Sequence, residues 1–118
     1  MADYEGPVSI TASDLPELIA LLNLVFRPHG GDMGREYSRH VGMNNRENVR
    51  VIKQRGRIVS HVSTSVRPVV LGGIPTWEAG IGAVATHPDA RGHGFASILM
   101  EDAVKRSVAQ DADIMLIS

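Results

Sequence analysis

Val84-Ala85-Thr86-His87-Pro88-Asp89-Ala90-Arg91-Gly92-His93-Gly94-Phe95-Ala96 decides how this chain is read. It runs from a strand, through a turn broken by Pro88, into an Arg-Gly-x-Gly-x-Ala loop that opens an amphipathic helix from about Gly94 to Gln110. Gly92 and Gly94 remove Cβ atoms where a ligand would touch backbone. The first turn of the helix adds unpaired N–H groups and a positive dipole end. Such a place holds an anion, most naturally a phosphate or pyrophosphate.

Downstream, the helix is expected to bury Phe95, Ile98, Leu99 and Ala103, with Met100, Val104 and Val108 widening the stripe. Asp111-Ala112-Asp113 breaks it, and Ile114-Met115-Leu116-Ile117-Ser118 reads as a buried strand. Upstream, Ile74 to Ala85 makes a long strand entered through Gly72-Gly73, and Val49–Lys53 and Ile58–Val66 flank a hairpin turn at Gln54-Arg55-Gly56-Arg57. Strand, crossover helix and strand imply a parallel, right-handed pairing of the last strand with Ile74–Ala85. In the first half, Val8–Thr11 alternates as a short strand. Ser13 or Asp14 can then cap a helix, Asp14 with Glu17 at capping-box spacing. That helix buries Leu15, Leu18, Ile19, Leu22, Val25 and Phe26, and Arg27-Pro28-His29-Gly30-Gly31 ends it. A second helix, about Met33 to Gly42, has few apolar residues and is expected at the surface or lining a cleft.

Composition narrows the function. The 118 residues fit one domain, and 43% hydrophobic with 21% charged residues is ordinary for a globular protein. A net charge of −1 gives no global pull toward nucleic acid or membrane. A local basic run, Arg35, Arg39, Arg46, Arg50, Lys53, Arg55 and Arg57, reads as a solvated hairpin face. Only Tyr37 interleaves it, which argues against nucleic acid. Without cysteine there is no disulfide, thiolate metal site or cysteine nucleophile. His29, His40 and His87 lack metal-ligand spacing, and His87 is expected to shape the turn before Pro88. The acidic N-terminus lacks the apolar core of a signal peptide, and no apolar run approaches the ~20 residues of a membrane span. A cytoplasmic enzyme or binding domain is expected. Gly80-Ile81-Gly82-Ala83-Val84-Ala85 matches a dinucleotide-binding pattern, but it lies within a strand and Pro88 follows where a helix is required. No Gly-x-Ser-x-Gly elbow is present.

The order strand, helix, helix, three antiparallel strands, crossover helix, strand resembles the GNAT superfamily of acyl-CoA-dependent N-acyltransferases. The family's phosphate-loop pattern, Gln/Arg-x-x-Gly-x-Gly/Ala, is met by Arg91-Gly92-His93-Gly94-Phe95-Ala96, and Val84 to Gly92 is a common wording of the preceding segment. The resemblance implies an α/β fold with a mixed, mainly antiparallel sheet flanked by helices. It implies that backbone N–H groups of Arg91, Gly92, His93, Gly94, Phe95 and Ala96 cradle the coenzyme A pyrophosphate. Main-chain groups near Val84 and Ala85 would pair with the pantetheine arm, and one N–H there would polarise the thioester carbonyl. Acetyl-CoA is the implied co-substrate, and a small-molecule or peptide amine the acceptor. Complete members continue past the last strand with a further helix and two strands, including a tyrosine that often serves as general acid. Residues 1–118 are therefore expected to be one domain, incomplete at its C-terminus, whose final strand leaves an edge that another chain could cover. The alternative is a non-catalytic module of the same fold, for acyl-CoA binding or protein association.

For the acceptor's proton, Glu78 is the only carboxylate on the Ile74–Ala85 strand. Strict alternation places it on the face of Gly80, Gly82 and Val84, and a bulge would change that parity. Glu78 is thus the candidate general base, set against the plainer reading of a solvent-facing strand carboxylate. His93 lies inside the loop but at a freely varying position. His61, on a strand with Ser63 and Ser65, reads as a half-exposed strand residue, and Trp77 as packing against a helix.

Overall fold

The computed structural model describes residues 3–117; Met1, Ala2 and Ser118, the last residue of the expected final strand, lie outside it. Strands β1 (Glu5–Ser9), β2 (Val49–Gln54), β3 (Arg57–Leu71), β4 (Ile74–Thr86) and β5 (Ile114–Ile117) form one sheet in that order. The first three pairings are antiparallel, and β4 to β5 is parallel, as the strand–helix–strand connection requires. Helix α1 (Leu15–Phe26) and two short helices, α2 (Met33–Glu36) and α3 (Ser38–Val41), cover one face, and α4 (Phe95–Ala109) covers the other. The sheet therefore separates two cores. Leu18, Leu21, Leu22, Val49, Val51 and Ala85 belong to the first; Ile52, Val62, Ile81, Phe95, Leu99 and Ala103 to the second.

Several local expectations are corrected. Thr11 is not in β1, which starts earlier than expected at Glu5. Asp14 does not form a box with Glu17: its carboxylate accepts from the Thr11 N–H at 2.9 Å and pairs with Lys53 at 3.0 Å. Glu17 instead accepts from the Ile58 N–H at 3.1 Å, which ties α1 to the β2–β3 hairpin. The single helix expected over Met33–Gly42 is two, broken at Tyr37. Its anchors are Met33 and Val41, both buried, so the segment presses onto the sheet despite its polarity.

Helix α4 buries a narrow stripe at every fourth residue: Phe95, Leu99, Ala103 and Ser107. Val104 and Val108 are exposed, against expectation. The opposite flank of the stripe carries polar ties. Arg50 of β2 grips Asp102 through two bonds of 2.9 and 3.1 Å, and Arg106 donates to the Glu47 carbonyl at 2.8 Å. Full burial of Leu99 contributes about 1.5–3 kcal/mol and fixes the helix over β3 and β4. The final strand is half-buried at Ile114 and Met115 but exposed at Leu116 and Ile117, a second correction to the apolar reading. Its outer edge has no strand beyond it among the described residues. No helix there is long and apolar enough to cross a membrane.

Candidate functional site

The glycine loop is built as its sequence requires. A short 3₁₀ turn, Pro88–Ala90, leaves β4; the His87 Nδ1 accepts from the Asp89 N–H at 3.1 Å and shapes that turn, as expected. Gly92 and Gly94 then take φ of +87° and +76°, left-handed values that an L side chain adopts only under strain. A Cβ at either would meet nothing within 4 Å, so the space above the loop is open. Ala90 and Phe95 are buried on either side and anchor it, Phe95 edge-on to Tyr4 at 5.3 Å. Arg91, Gly92, His93 and Gly94 are exposed, and Ala96 is partly so. Among the described residues, no N–H from Arg91 to Ser97 donates to a protein acceptor; the first helical bond is from Ile98 to Gly94 at 3.1 Å. These orphan donors and the helix dipole stand beside the open space above the loop. His93 lies beside Phe95, ring centroids 5.6 Å apart.

The strand leading to this loop changes character halfway. From Ile74 to Gly82, β4 runs in unbroken register with β3, and Glu78 to Ile81 also pair with β5. Then His61 opposes Ala85 while Ser63 opposes Gly82, so Ala83 and Val84 together face Val62. This is a β-bulge, with Ala83 at φ +53°. Past Ile81, β4 has no strand on its β5 side among the described residues, which leaves a backbone edge open from Gly82 to Thr86. The bulge overturns strict alternation: Gly80, Gly82 and Ala83 face the α1–α3 side, whereas Val84 turns to the α4 core.

Glu78 shares the α1–α3 face with Gly80 but is not solvent-facing. Its side chain is 12% exposed and lies 3.3 Å from the Arg67 guanidinium. The two line a hollow of about 160 Å³ with Arg39, His40, Ser65 and Gly80. His40 reaches it from α3; the imidazole Cε1 sits 3.6 Å from where a Gly80 Cβ would stand. The Asn45 side chain holds this arrangement by donating to the carbonyls of His40 and Thr64 at 2.6 and 2.8 Å. Burial, with the nearby Arg39 and Arg67 charges, pushes the His40 pKa down. A second hollow, about 210 Å³, lies against the bulge itself between Ala83, Val84, Arg27, Met33 and Tyr37.

His61 is the largest departure from expectation. It is wholly buried, not half-exposed, and its Nδ1 lies 2.8 Å from the Ala83 carbonyl. Burial lowers its pKa to about 4, so the ring is neutral near pH 7. Trp77 is 50% exposed rather than packed away. The basic run is not one solvated face either, because Arg50 and Lys53 are spent on ion pairs with Asp102 and Asp14. Among the described residues no group of three His, Asp or Glu side chains is placed to hold a metal ion.

A family model described as "Acetyltransferase (GNAT) domain" matches residues 8–118. The chain belongs to the GNAT acetyltransferase family. No curated protein matches it. Solved structures share the fold at low identity. A Trypanosoma brucei acetyltransferase is 22% identical, with 98% of this chain covering 82% of that one at a TM-score of 0.73. A GCN5-related N-acetyltransferase from Kribbella flavida is 22% identical at a TM-score of 0.75; 96% of this chain spans 29% of that one. An aminoglycoside N-acetyltransferase in complex with CoA is 14% identical over 98% of this chain and 75% of its own, at a TM-score of 0.70. The GNAT fold, with its mainly antiparallel sheet flanked by helices, is thus the fold of this chain, and acyl transfer is the activity its family supports. Four residues around this candidate site escaped the sequence reading: His40, Ser65, Arg67 and His61. Only the alternation of His61, Ser63, Ser65 and Arg67 along β3 announced a shared polar face.

Proposed function

We propose that this protein transfers an acetyl group from acetyl-CoA to a primary amine. One observation carries the reading: the open edge of β4, Gly82 to Thr86, leads directly into the orphan N–H groups of the Arg91–Ala96 loop. An extended amide-bearing arm can add to such an edge as a strand does. A diphosphate at its end would then meet the loop and the α4 N-terminus. The groups present fit coenzyme A: open space over Gly92 and Gly94, unpaired donors from Arg91 to Ala96, and a strand edge of matching direction between them.

Acetyl-CoA supplies the acyl group activated as a thioester. Of the backbone N–H groups near the bulge, at Val84 and Ala85, that of Val84 faces the open edge and is the candidate to polarise its carbonyl, whereas Ala85 pairs with His61 of β3. A donor aimed at that oxygen gains strength as negative charge develops there when the amine attacks. Glu78 is the proposed base. A carboxylate beside a polar hollow, reached through His40 and Ser65, can take the proton that the acceptor ammonium must lose. The hollow against Ala83 and Val84, bordered by Arg27 and Tyr37, is the proposed approach for the acceptor.

The test is release of the coenzyme A thiol from acetyl-CoA across a panel of primary amines that includes an aminoglycoside. Amine-dependent release with an N-acetylated product by mass spectrometry is expected. Coenzyme A binding without release for any amine would instead support the non-catalytic acyl-CoA-binding module.

A further inference from the structure

His61 makes a bond that an ordinary core histidine has no reason to make. The carbonyl of Ala83 can only accept, so the His61 Nδ1 at 2.8 Å must carry the proton. The neutral ring then has a bare Nε2, which is buried and without a partner among the described residues, as are the Ser63 Oγ and the His40 Nδ1. A buried acceptor left unmet is costly, and the only bond the ring makes in return goes to the residue that breaks the ladder. Ala83 is also the strand residue held at φ +53°, a conformation that persists when its surroundings over-determine it. Val51 and Ala85 flank His61 in register and the α1 core roofs it, so the ring has no freedom to swing away.

We propose that His61 is a positioning residue: its Nδ1–H, donated to the Ala83 carbonyl, locks the β4 bulge and so aims the N–H of Val84 at the thioester carbonyl. It touches neither coenzyme A nor acceptor. The assignment rests on the acyl-transfer reading above for its catalytic consequence. The lock itself is a property of the free protein.

Two substitutions separate the lock from mere packing. His61→Asn keeps an N–H where Nδ1 stands, whereas His61→Leu fills comparable volume without a donor. With acetyl-CoA and the best amine of the panel, His61→Leu is expected to lower kcat about 100-fold, the scale of a lost oxyanion donor. Its coenzyme A dissociation constant should stay within about threefold, since the Arg91–Ala96 loop supplies the orphan donors. His61→Asn is expected to recover at least about tenfold of the lost kcat. Long-range ¹H–¹⁵N correlation of the unsubstituted protein should show the proton on Nδ1, and amide exchange at Val84 and Ala85 should quicken in His61→Leu but not in His61→Asn. Unchanged kcat in His61→Leu, an asparagine variant no better than leucine, or a proton on Nε2 would overturn the proposal. If His61→Leu does not fold, His61→Gln, whose N–H falls at the Nε2 position, replaces it as the variant without the lock. Absence of turnover in the unsubstituted protein would overturn the acyl-transfer reading, while ring tautomer and amide exchange still decide the lock.

Discussion

The two halves of β4 are made from one continuous strand and do opposite things. From Ile74 to Ile81 every residue has its cross-strand partner, Ala79 and Ile81 are buried, and β5 closes the far edge at Glu78–Ile81. From Gly82 to Thr86 the register slips, Ala83 turns left-handed and the far edge has no strand among the described residues. The first half spends its backbone donors on the fold. The second withholds part of them, and the withheld groups continue into the unpaired N–H row of the Arg91–Ser97 segment. Paired and open backbone are thus divided along one strand by a single inserted residue.

That division can be broken in graded ways. The largest effect is expected from Glu78→Gln, in the regular half: turnover should fall about 100-fold or more while coenzyme A binding stays intact. An unchanged rate would remove Glu78 as base. Next is acid. His61 is held at about 4 by burial against an ordinary 6.5, so the unfolded chain takes up a proton that the native protein refuses. Stability is then complete above pH 6.5 and falls between about 6.5 and about 4, by about 3 kcal/mol. Neighbouring His40, also lowered by burial and by Arg39 and Arg67, adds in the same direction. Denaturant titrations at pH 7, 5.5 and 4 measure this slope, and His61→Asn should flatten it; an equal slope in that variant would contradict the assignment.

Asp102→Ala should cost about 2 kcal/mol, because it leaves Arg50 half-buried and unpaired between β1, β2 and α4. Its coenzyme A affinity should not change, and a loss there would show that the two regions are coupled. Gly92→Ala should cost about 1 kcal/mol of stability from its φ of +87° and also weaken coenzyme A binding. Loss of stability alone would place the ligand elsewhere. Val108→Ser is expected to stay within about 0.5 kcal/mol, since the side chain is exposed on α4.

The half of β4 that leads into the glycine loop was the more legible in the sequence. Arg91-Gly92-His93-Gly94 follows local chemistry: glycine where φ is positive, a helix opening after it, Pro88 at the turn. The order from β2 to β5 followed equally from turn glycines, period-2 runs and the crossover helix, while the place of β1 beside β2 did not. What stayed hidden depends on distant partners. His61 looked half-exposed because its neighbours are serines, and it is buried only because α1 and α3 lie over that face. Glu78 looked solvent-facing because Arg67, its partner, stands across the hairpin eleven positions away. Val104 and Val108 fit a helical stripe, yet Asp102 and Arg106, on the opposite flank, bind β2 and the preceding turn and draw that side of α4 onto the sheet. The bulge at Ala83 has no signature of its own: an alanine in left-handed backbone is a tertiary consequence, and the histidine that holds it lies on another strand.

The central claim is that the Arg91–Ala96 loop receives the diphosphate of coenzyme A. Calorimetric titration of the protein with acetyl-CoA, beside the same titration of Gly94→Glu, tests it most directly. The account predicts saturable binding that the added carboxylate abolishes in a folded variant, by strain at φ +76° and by negative charge beside the loop's donors. Equal affinity in both proteins, or no binding by the folded unsubstituted chain, would contradict it.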